Sequence, residues 1–302
     1  MTERLIVAYG VLTTPGRNRL RGLALLGVPA TWMLAFLLLP MLVLVAMAFV
    51  QRSADGEVVW SFSLLNFQRL AGFGTFAWTG DYLRILGRSA VMATITTALC
   101  VAAAYPLAFF VAARSARSRY LWLALVIIPF CTNLIIRTYA WMLILSNQLP
   151  PARLAQFLGL VPPDTALYPG IGAVYLGMVT SSLPFTMLPL YTNVERLDWS
   201  IVEAASDLYA GRVRTFFHGI LPQTLPGLMA ALILTFIPAL GAFVVPDLLG
   251  GARTWLVGNL IQQQFGASRD WPFGAAISLG LMALSLAGLF FMKRRGWESE
   301  LT

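Results

Sequence analysis

A polar segment between two apolar stretches carries the residues best suited to bind another protein. It contains, in order, Glu203, Ala204, Ala205, Asp207, Gly211, Leu221 and Pro222. The positive end of a helix favours acidic side chains, so a short helix is predicted from Glu203 to Leu208 with acids in its first turns. The two alanines let another surface approach closely, and Gly211 permits a turn before a second short helix over 212–217. The segment is predicted to dock a protein partner; the alternative is an amphipathic linker lying on the lipid surface.

Two other chemistries are excluded because their residues are missing. The only lysine is Lys293, so the chain lacks the Gly-Lys-Ser/Thr loop that holds the phosphates of ATP. The only histidine is His218, which rules out a His-x-x-x-His zinc site. No Asp or Glu falls clearly inside an apolar stretch, and Asp247 comes nearest, at the outer end of one. An intramembrane enzyme needs such carboxylates or an activated nucleophile, so the chain is predicted not to be an enzyme.

The elements that must position these residues are membrane helices. Hydrophobic residues make up 58% of the chain and charged residues 11%, whereas soluble domains carry about 25% charged residues. Only helices and closed barrels satisfy their backbone in lipid, and the alternation typical of barrel strands is absent. The predicted fold class is therefore all-α, a polytopic membrane protein with six transmembrane helices. The six apolar runs, each long enough to cross a bilayer, are 23–50, 87–113, 121–146, 169–192, 225–249 and 272–292.

The distribution of basic residues predicts which side of the membrane each loop faces. With six spans both termini share one side, and that side has the basic clusters closest to the helix ends. By the positive-inside rule this side is cytoplasmic. The extracytoplasmic segment 51–86 then either faces a receptor or is a simple connector. The predicted parts are a cytoplasmic N-tail (1–22), a first span (23–50), the segment 51–86, a core of five spans (87–292) that includes a cytoplasmic loop (193–224), and a cytoplasmic C-tail (293–302).

The loop motif resembles the cytoplasmic signature of ABC importer permeases: Glu-Ala-Ala, then Asp-Leu, then Leu-Pro. Tyr209 stands where that family has its signature glycine, and Gly211 is expected to make the turn instead. Other matching segments cover most of the chain from residue 80 onward and resemble the B-type subunit of spermidine/putrescine-type permeases. They include Pro129-Phe130-Cys131-Thr132-Asn133, Ile136-Arg137-Thr138-Tyr139-Ala140-Trp141, Asp247-Leu248-Leu249-Gly250-Gly251 and Arg269-Asp270-Trp271-Pro272-Phe273-Gly274.

This resemblance implies a type I importer permease in the bacterial inner membrane, with polyamines as its solutes. Its partners would be a second homologous permease, an ABC ATPase dimer, an extracytoplasmic solute-binding protein and the surrounding lipid, and no nucleic acid. The chain itself would hold no cofactor, since ATP and Mg²⁺ bind to the partner ATPase. The loop from Glu203 to Pro222 would couple nucleotide-driven closure of the ATPase to rearrangement of the spans.

Residues that suit a polyamine are few. Carboxylates and aromatic faces attract cations, and the candidates for the substrate path are Asp247, Tyr139, Trp141 and Tyr175. For the aromatic residues the alternative is an interfacial belt. Arg137, inside the third run, is structural unless the solute is anionic, and it either snorkels outward or bonds to a carbonyl of the second permease. The open alternatives are the same machinery importing an opine or a phosphonate, an ATPase-independent transporter, and a non-transporting scaffold subunit.

Overall fold

The computed structural model describes residues 19–53, 56–73, 79–251 and 254–297. Predictions for 1–18 and 298–302, including the side on which the two ends lie, fall outside these residues. Two short strands, β1 (Gln51–Arg52) and β2 (Val58–Val59), pair antiparallel. The helices are α1 (Arg19–Ala48), α2 (Leu65–Leu70), α3 (Asp81–Ala112), α4 (Ala116–Ile127), α5 (Leu134–Ile144), α6 (Pro150–Phe157), α7 (Ile171–Glu195), α8 (Trp199–Asp207), α9 (Arg212–Thr215), α10 (Leu221–Leu240), α11 (Val244–Gly250), α12 (Val257–Phe265) and α13 (Trp271–Trp297).

The all-α prediction is confirmed, and five of the predicted runs form long helices. Within the described residues, five helical stretches are long and apolar enough to cross a membrane. They lie in α1, in α3, in α7, along the continuous run from α9 through α10, and in α13. The count of six spans remains a prediction.

The third predicted run is not one helix, so the prediction of a single helix over 121–146 is wrong. Helix α4 ends at Ile127 and α5 begins at Leu134. Pro129 has no N–H to continue the first helix. The side chain of Asn133 accepts a hydrogen bond from the Ile135 N–H at 2.8 Å, which caps the start of the second. The run is therefore two helices joined by a break at 128–133.

The fifth predicted run, 225–249, is also divided. Helix α10 ends at Leu240, and α11 starts at Val244 after a short non-helical stretch. Asp247 therefore lies on the separate helix α11 and not at the end of a continuous span. Breaks in membrane helices are tolerated where other protein groups satisfy the freed backbone. Here the Asn259 side chain donates to the Phe243 carbonyl at 3.1 Å.

Helix α7 forms the centre of the bundle and packs against α3 and α10. Toward its start, Val174 and Met178 join a core cluster with Leu240 and Leu249. Toward its end, Leu190 and Val194 join a second cluster with alanines of α3 and α10. The helices approach closely there, because a Cβ added to Gly227 would lie 2.4 Å from Asn193 Nδ2. The loop 196–220 lies at this second end.

The segment after α1 folds back onto the bundle at the opposite end. Asn66 donates from Nδ2 to the carbonyls of Ala48 and Val50, at 3.0 and 2.8 Å. Arg69 pairs with Asp270 at 2.8 Å, which joins α2 to the start of α13. Helix α2 is therefore bonded to the end of α1 and to the start of α13, and residues 81–86 form the first turns of α3.

Candidate coupling loop and translocation cavity

Helix α8 carries the Glu-Ala-Ala motif and starts earlier than the sequence predicted. It begins at Trp199, and Asp198 caps it by accepting a hydrogen bond from the Ser200 N–H at 3.0 Å. Hydrogen bonds from the Ser200 side chain and backbone lower the pKa of Asp198 below its usual range. The predicted start at Glu203 is therefore wrong by four residues, and Glu203 lies in the second turn of the helix.

Tyr209, not Gly211, makes the turn that ends α8. Its φ of 56° places it in the left-handed region. The Tyr209 N–H bonds to the Ser206 carbonyl at 2.9 Å, and the Ala210 N–H bonds to the Ala205 carbonyl at 3.0 Å. These two bonds define a Schellman motif, whose left-handed residue is usually glycine. Gly211 has a φ of −65° and precedes the first residue of α9. Tyr209 thus adopts the conformation that the family's glycine would favour.

Contacts within the chain hold the loop against the membrane helices. Gln223 on α10 accepts a hydrogen bond from the Asp198 N–H at 3.0 Å and donates to the Gly219 carbonyl at 2.9 Å. A π-helical turn, Phe216–Ile220, connects α9 directly to α10. π-helical turns are rare within α-helices, and those that occur are frequently found at functional sites. The loop is therefore hydrogen-bonded to α10 and continuous with it rather than an independent linker.

A second contact fixes the end of α7, where the loop begins. The Arg119 guanidinium pairs with the carboxylate of Glu195, the last residue of α7. It also donates to the Ala112 carbonyl at 2.9 Å, at the end of α3. One arginine thus joins the ends of α3 and α7 beside the loop.

The tip of the loop is apolar and uncovered. Tyr209 is 98% exposed, Leu208 81% and Val213 72%. Glu203 and Ala204 of the Glu-Ala-Ala motif are also exposed. Patches of this kind on an otherwise polar loop are typical of protein interaction sites. The candidate coupling residues predicted from the sequence did not include Leu208, although it belongs to the Asp-Leu part of the motif, or Val213.

A cavity of about 370 Å³ lies at the middle of the bundle, beside the break between α10 and α11. Phe130, Phe185 and Phe243 supply aromatic faces, and Thr132, Ser181 and Ser182 supply hydroxyl groups. Of the described residues in this lining, Arg137 alone is charged. A neighbouring cavity of about 520 Å³ shares Phe130 and Arg137 with the first and is otherwise almost wholly apolar. The two spaces meet at these two side chains.

The structure does not bring the four predicted substrate residues together. Trp141 lines the second cavity, while Tyr139, Tyr175 and Asp247 line neither. Tyr175 packs on the core near the start of α7, and Tyr139 is half-exposed on α5. Asp247 is exposed on α11. Ser181, Ser182 and Phe243 were not predicted, because only the fold places them beside the two helix breaks. Among the described residues, no cluster of three His, Cys, Asp or Glu side chains is arranged to hold a metal ion.

Comparison with known proteins gives a consistent result at the levels of family, sequence and fold. The family described as "Binding-protein-dependent transport system inner membrane component" matches residues 104–294. The spermidine/putrescine transport system permease protein PotB of Escherichia coli is 38% identical over 250 residues, 83% of this chain and 88% of that protein. PotB of Haemophilus influenzae is 36% identical over 265 residues, 88% of this chain and 90% of that protein.

Two solved structures share the fold at low sequence identity. One is a bacterial ABC transporter involved in the import of the acidic polysaccharide alginate, with a TM-score of 0.62 and 16% identity over 91% of this chain and 94% of that one. The other is a bacterial alginate ABC transporter in complex with an alginate pentasaccharide-bound periplasmic protein. Its TM-score is 0.65 and its identity 14%, over 89% of this chain and 91% of that one.

Proposed function

Since this chain belongs to the family of binding-protein-dependent transport system inner membrane components, we propose that it imports polyamines such as spermidine and putrescine. It is a multi-pass inner-membrane permease subunit of an ABC importer, not an enzyme. The solute assignment is supported by 36–38% identity over most of the chain to relatives named as spermidine/putrescine permeases.

The coupling role rests on one observation, the braced loop with an uncovered apolar tip. Gln223 joins the start of α8 to α10. Tyr209 and Leu208 project from the far end of α8 into solvent. A rigid element with an exposed apolar end is suited to fill a groove on a separate ATPase and to transmit its closure to α10. The ATPase, and not this chain, then binds ATP and Mg²⁺.

A second permease, an ATPase dimer and an extracytoplasmic solute-binding protein complete the proposed assembly. The family description names dependence on a binding protein, and one structural relative was solved with a periplasmic protein bound. Both termini are proposed to be cytoplasmic. Cysteines placed at Thr2 and Thr302 would then react with a membrane-impermeant maleimide only in inverted vesicles.

The central cavity is suited to let a cation pass rather than to hold it tightly. Its hydroxyl groups and aromatic faces interact favourably with ammonium groups. Among the described residues, however, its lining has no carboxylate and includes the Arg137 guanidinium, which repels a cation. A transport path needs sites weak enough to release what enters. Selectivity is therefore proposed to reside mainly in the solute-binding protein.

A binding screen on the cognate solute-binding protein tests the solute. We expect spermidine and putrescine to bind and then to stimulate ATP hydrolysis by the reconstituted importer, whereas opines and phosphonates do neither. If an opine or a phosphonate binds and stimulates ATP hydrolysis, the solute assignment changes and the assignment as an ABC importer stays. Solute uptake by vesicles that contain this chain without an ATPase would contradict the ABC mechanism.

A further inference from the structure

Arg137 is a charged group in the middle of the membrane-spanning part of the protein. It lies in the first turn of α5 and lines the central cavity together with Ser181 and Ser182. Those serines lie near the midpoint of the 25-residue helix α7. At 1.5 Å per residue, the midpoint is about 18 Å from either end of that helix. An arginine near the end of a membrane helix can extend its guanidinium to the lipid headgroups. The position of Arg137 beside the middle of α7 does not suit this arrangement.

The hydrogen-bonding groups of Arg137 are mostly unused within the described chain. Nη1 donates to the Pro129 carbonyl at 2.9 Å. Nε is buried and has no hydrogen-bond partner. The guanidinium carbon lies 5.8 Å from the centre of the Phe130 ring, at the outer limit of a cation–π contact. A guanidinium has five N–H donors. A single hydrogen bond to the Pro129 carbonyl therefore leaves most of these donors available to other acceptors.

Acceptors of the opposite charge are absent from its surroundings in the described residues. The ion pairs there join Arg69 with Asp270, Arg84 with Asp81, and Arg119 with Glu195. Neither cavity that Arg137 lines includes an Asp or Glu. Intramembrane arginines face a cavity and pair with another group, because an unpaired charge in lipid is costly. The described residues of this chain therefore supply no counter-charge to Arg137.

We propose that Arg137 forms an ion pair with a carboxylate of the second permease subunit, across the translocation path. The inference rests on the proposed two-permease assembly. A lipid phosphate is too distant from the middle of the bundle, and a solute carboxylate would leave the charge unpaired between transport cycles. A carboxylate fixed on the facing subunit satisfies the guanidinium whenever the two subunits are closed together at this level. Separation of the pair would accompany opening of the path.

A reciprocal charge exchange tests this pair in the assembled importer. Arg137→Glu should lower uptake at least tenfold, because two carboxylates would then face each other. Each Asp and Glu within the apolar runs of the second permease is next changed to Arg in the Arg137→Glu background. One such change should restore uptake at least fivefold. Arg153→Glu, on the exposed face of α6, is the matched control and should transport as the unchanged chain does.

The native cysteines provide a measurement on a chain without charge changes. Cys131 is exposed in the break six residues before Arg137, and Cys100 is buried. A benzophenone maleimide on Cys131 should cross-link this chain to the second permease on illumination, whereas Cys131→Ser should remove the product. The same experiment distinguishes failure of the proposed ion pair from failure of the proposed two-permease assembly. Failure of the second permease to copurify contradicts both. A copurified complex with neither cross-link nor rescue contradicts the ion pair alone, as does unchanged uptake by Arg137→Gln.

Discussion

The loop 196–220 and the central cavity differ in the groups that each leaves available to another molecule, an apolar surface at the loop and a charge at the cavity. At the loop, Gln223 accepts a hydrogen bond from the Asp198 N–H at the start of α8, and the Schellman motif at Tyr209 satisfies the end of that helix. The surface left open there is apolar. At the cavity, two helices are interrupted, the walls are mostly apolar, and the group left without a counterpart is the charge of Arg137. The loop is thus suited to bury its tip against another chain, and the cavity to be completed by another charge.

This difference between the loop and the cavity indicates that the two regions have separate mechanical roles. A loop continuous with α10 through the turn Phe216–Ile220 is suited to transmit a displacement as a unit. The cavity lies between the α4–α5 break and the α10–α11 break, which are suited to hinge motion because each break frees backbone from the helical ladder. We therefore propose that the loop end transmits force and that the broken helices open the path.

The largest effect is expected from Glu203→Arg, which places a bulky opposite charge in the docking motif. Uptake and receptor-stimulated ATP hydrolysis should fall by roughly 5- to 150-fold, the range of about 1–3 kcal/mol typical of coupling between sites. Transport into proteoliposomes and phosphate release measure the two quantities. Glu57→Arg, on the exposed hairpin at the opposite end, is the matched control. Equal loss in the two variants would contradict a specific coupling role.

A smaller effect is expected from Gln223→Leu, which removes the brace between α8 and α10. Its two hydrogen bonds should each contribute about 0.5–1.5 kcal/mol. Coupling should weaken by a few-fold while the ATPase still copurifies, because the docking surface itself is unchanged. The exposed Gln262, on α12 at the opposite end, supplies the control variant Gln262→Leu. If uptake is unchanged in Gln223→Leu, the loop does not need this brace to act on α10.

Asp247→Asn tests whether the path extends from the cavity to the exposed face of α11. Uptake of a cation should fall by roughly two- to fivefold, since the attraction of two unit charges 4 Å apart in water is about 1 kcal/mol. Uptake of a neutral solute analogue should not change. Both are measured with the same proteoliposomes. Equal effects on charged and neutral solutes would remove Asp247 from the path.

The smallest effect is expected from replacing Tyr209. Tyr209→Ala removes the ring but keeps a Cβ at positive φ, whereas Tyr209→Gly removes both. A left-handed residue with a Cβ costs about 1–2 kcal/mol, so the glycine variant should be more stable locally than the alanine variant by about 1 kcal/mol. Hydrogen exchange at the Ala210 amide measures this difference. Identical exchange in the two variants would contradict the positive φ of Tyr209.

The long helices and the position of the loop could be predicted from the sequence. Apolar length was sufficient to predict the long helices, and the Glu-Ala-Ala motif located the loop. The sequence did not predict that Pro129 and Asn133 divide one run, because proline is tolerated in membrane helices when neighbours satisfy the backbone. The start of α8 at Trp199 depends on the Asp198 cap, and the sequence prediction instead began the helix at Glu203, five residues after that cap.

The cavity could not be predicted, for a physical reason. Thr132, Ser182 and Phe243 lie far apart along the chain and face one space only because α7 packs beside both helix breaks. No periodicity within a single helix contains that information. The predicted aromatic residues Tyr139 and Tyr175 followed from composition alone, and packing places them elsewhere.

Site-specific photo-cross-linking tests the coupling role most directly. Benzoylphenylalanine replaces Tyr209, which is 98% exposed at the loop tip, or Phe157, which is 87% exposed on α6 at the opposite end of the bundle. In the assembled importer, position 209 should cross-link to the ATPase and position 157 should not. Cross-linking of position 209 to lipid alone, with the ATPase present and copurified, would contradict the account.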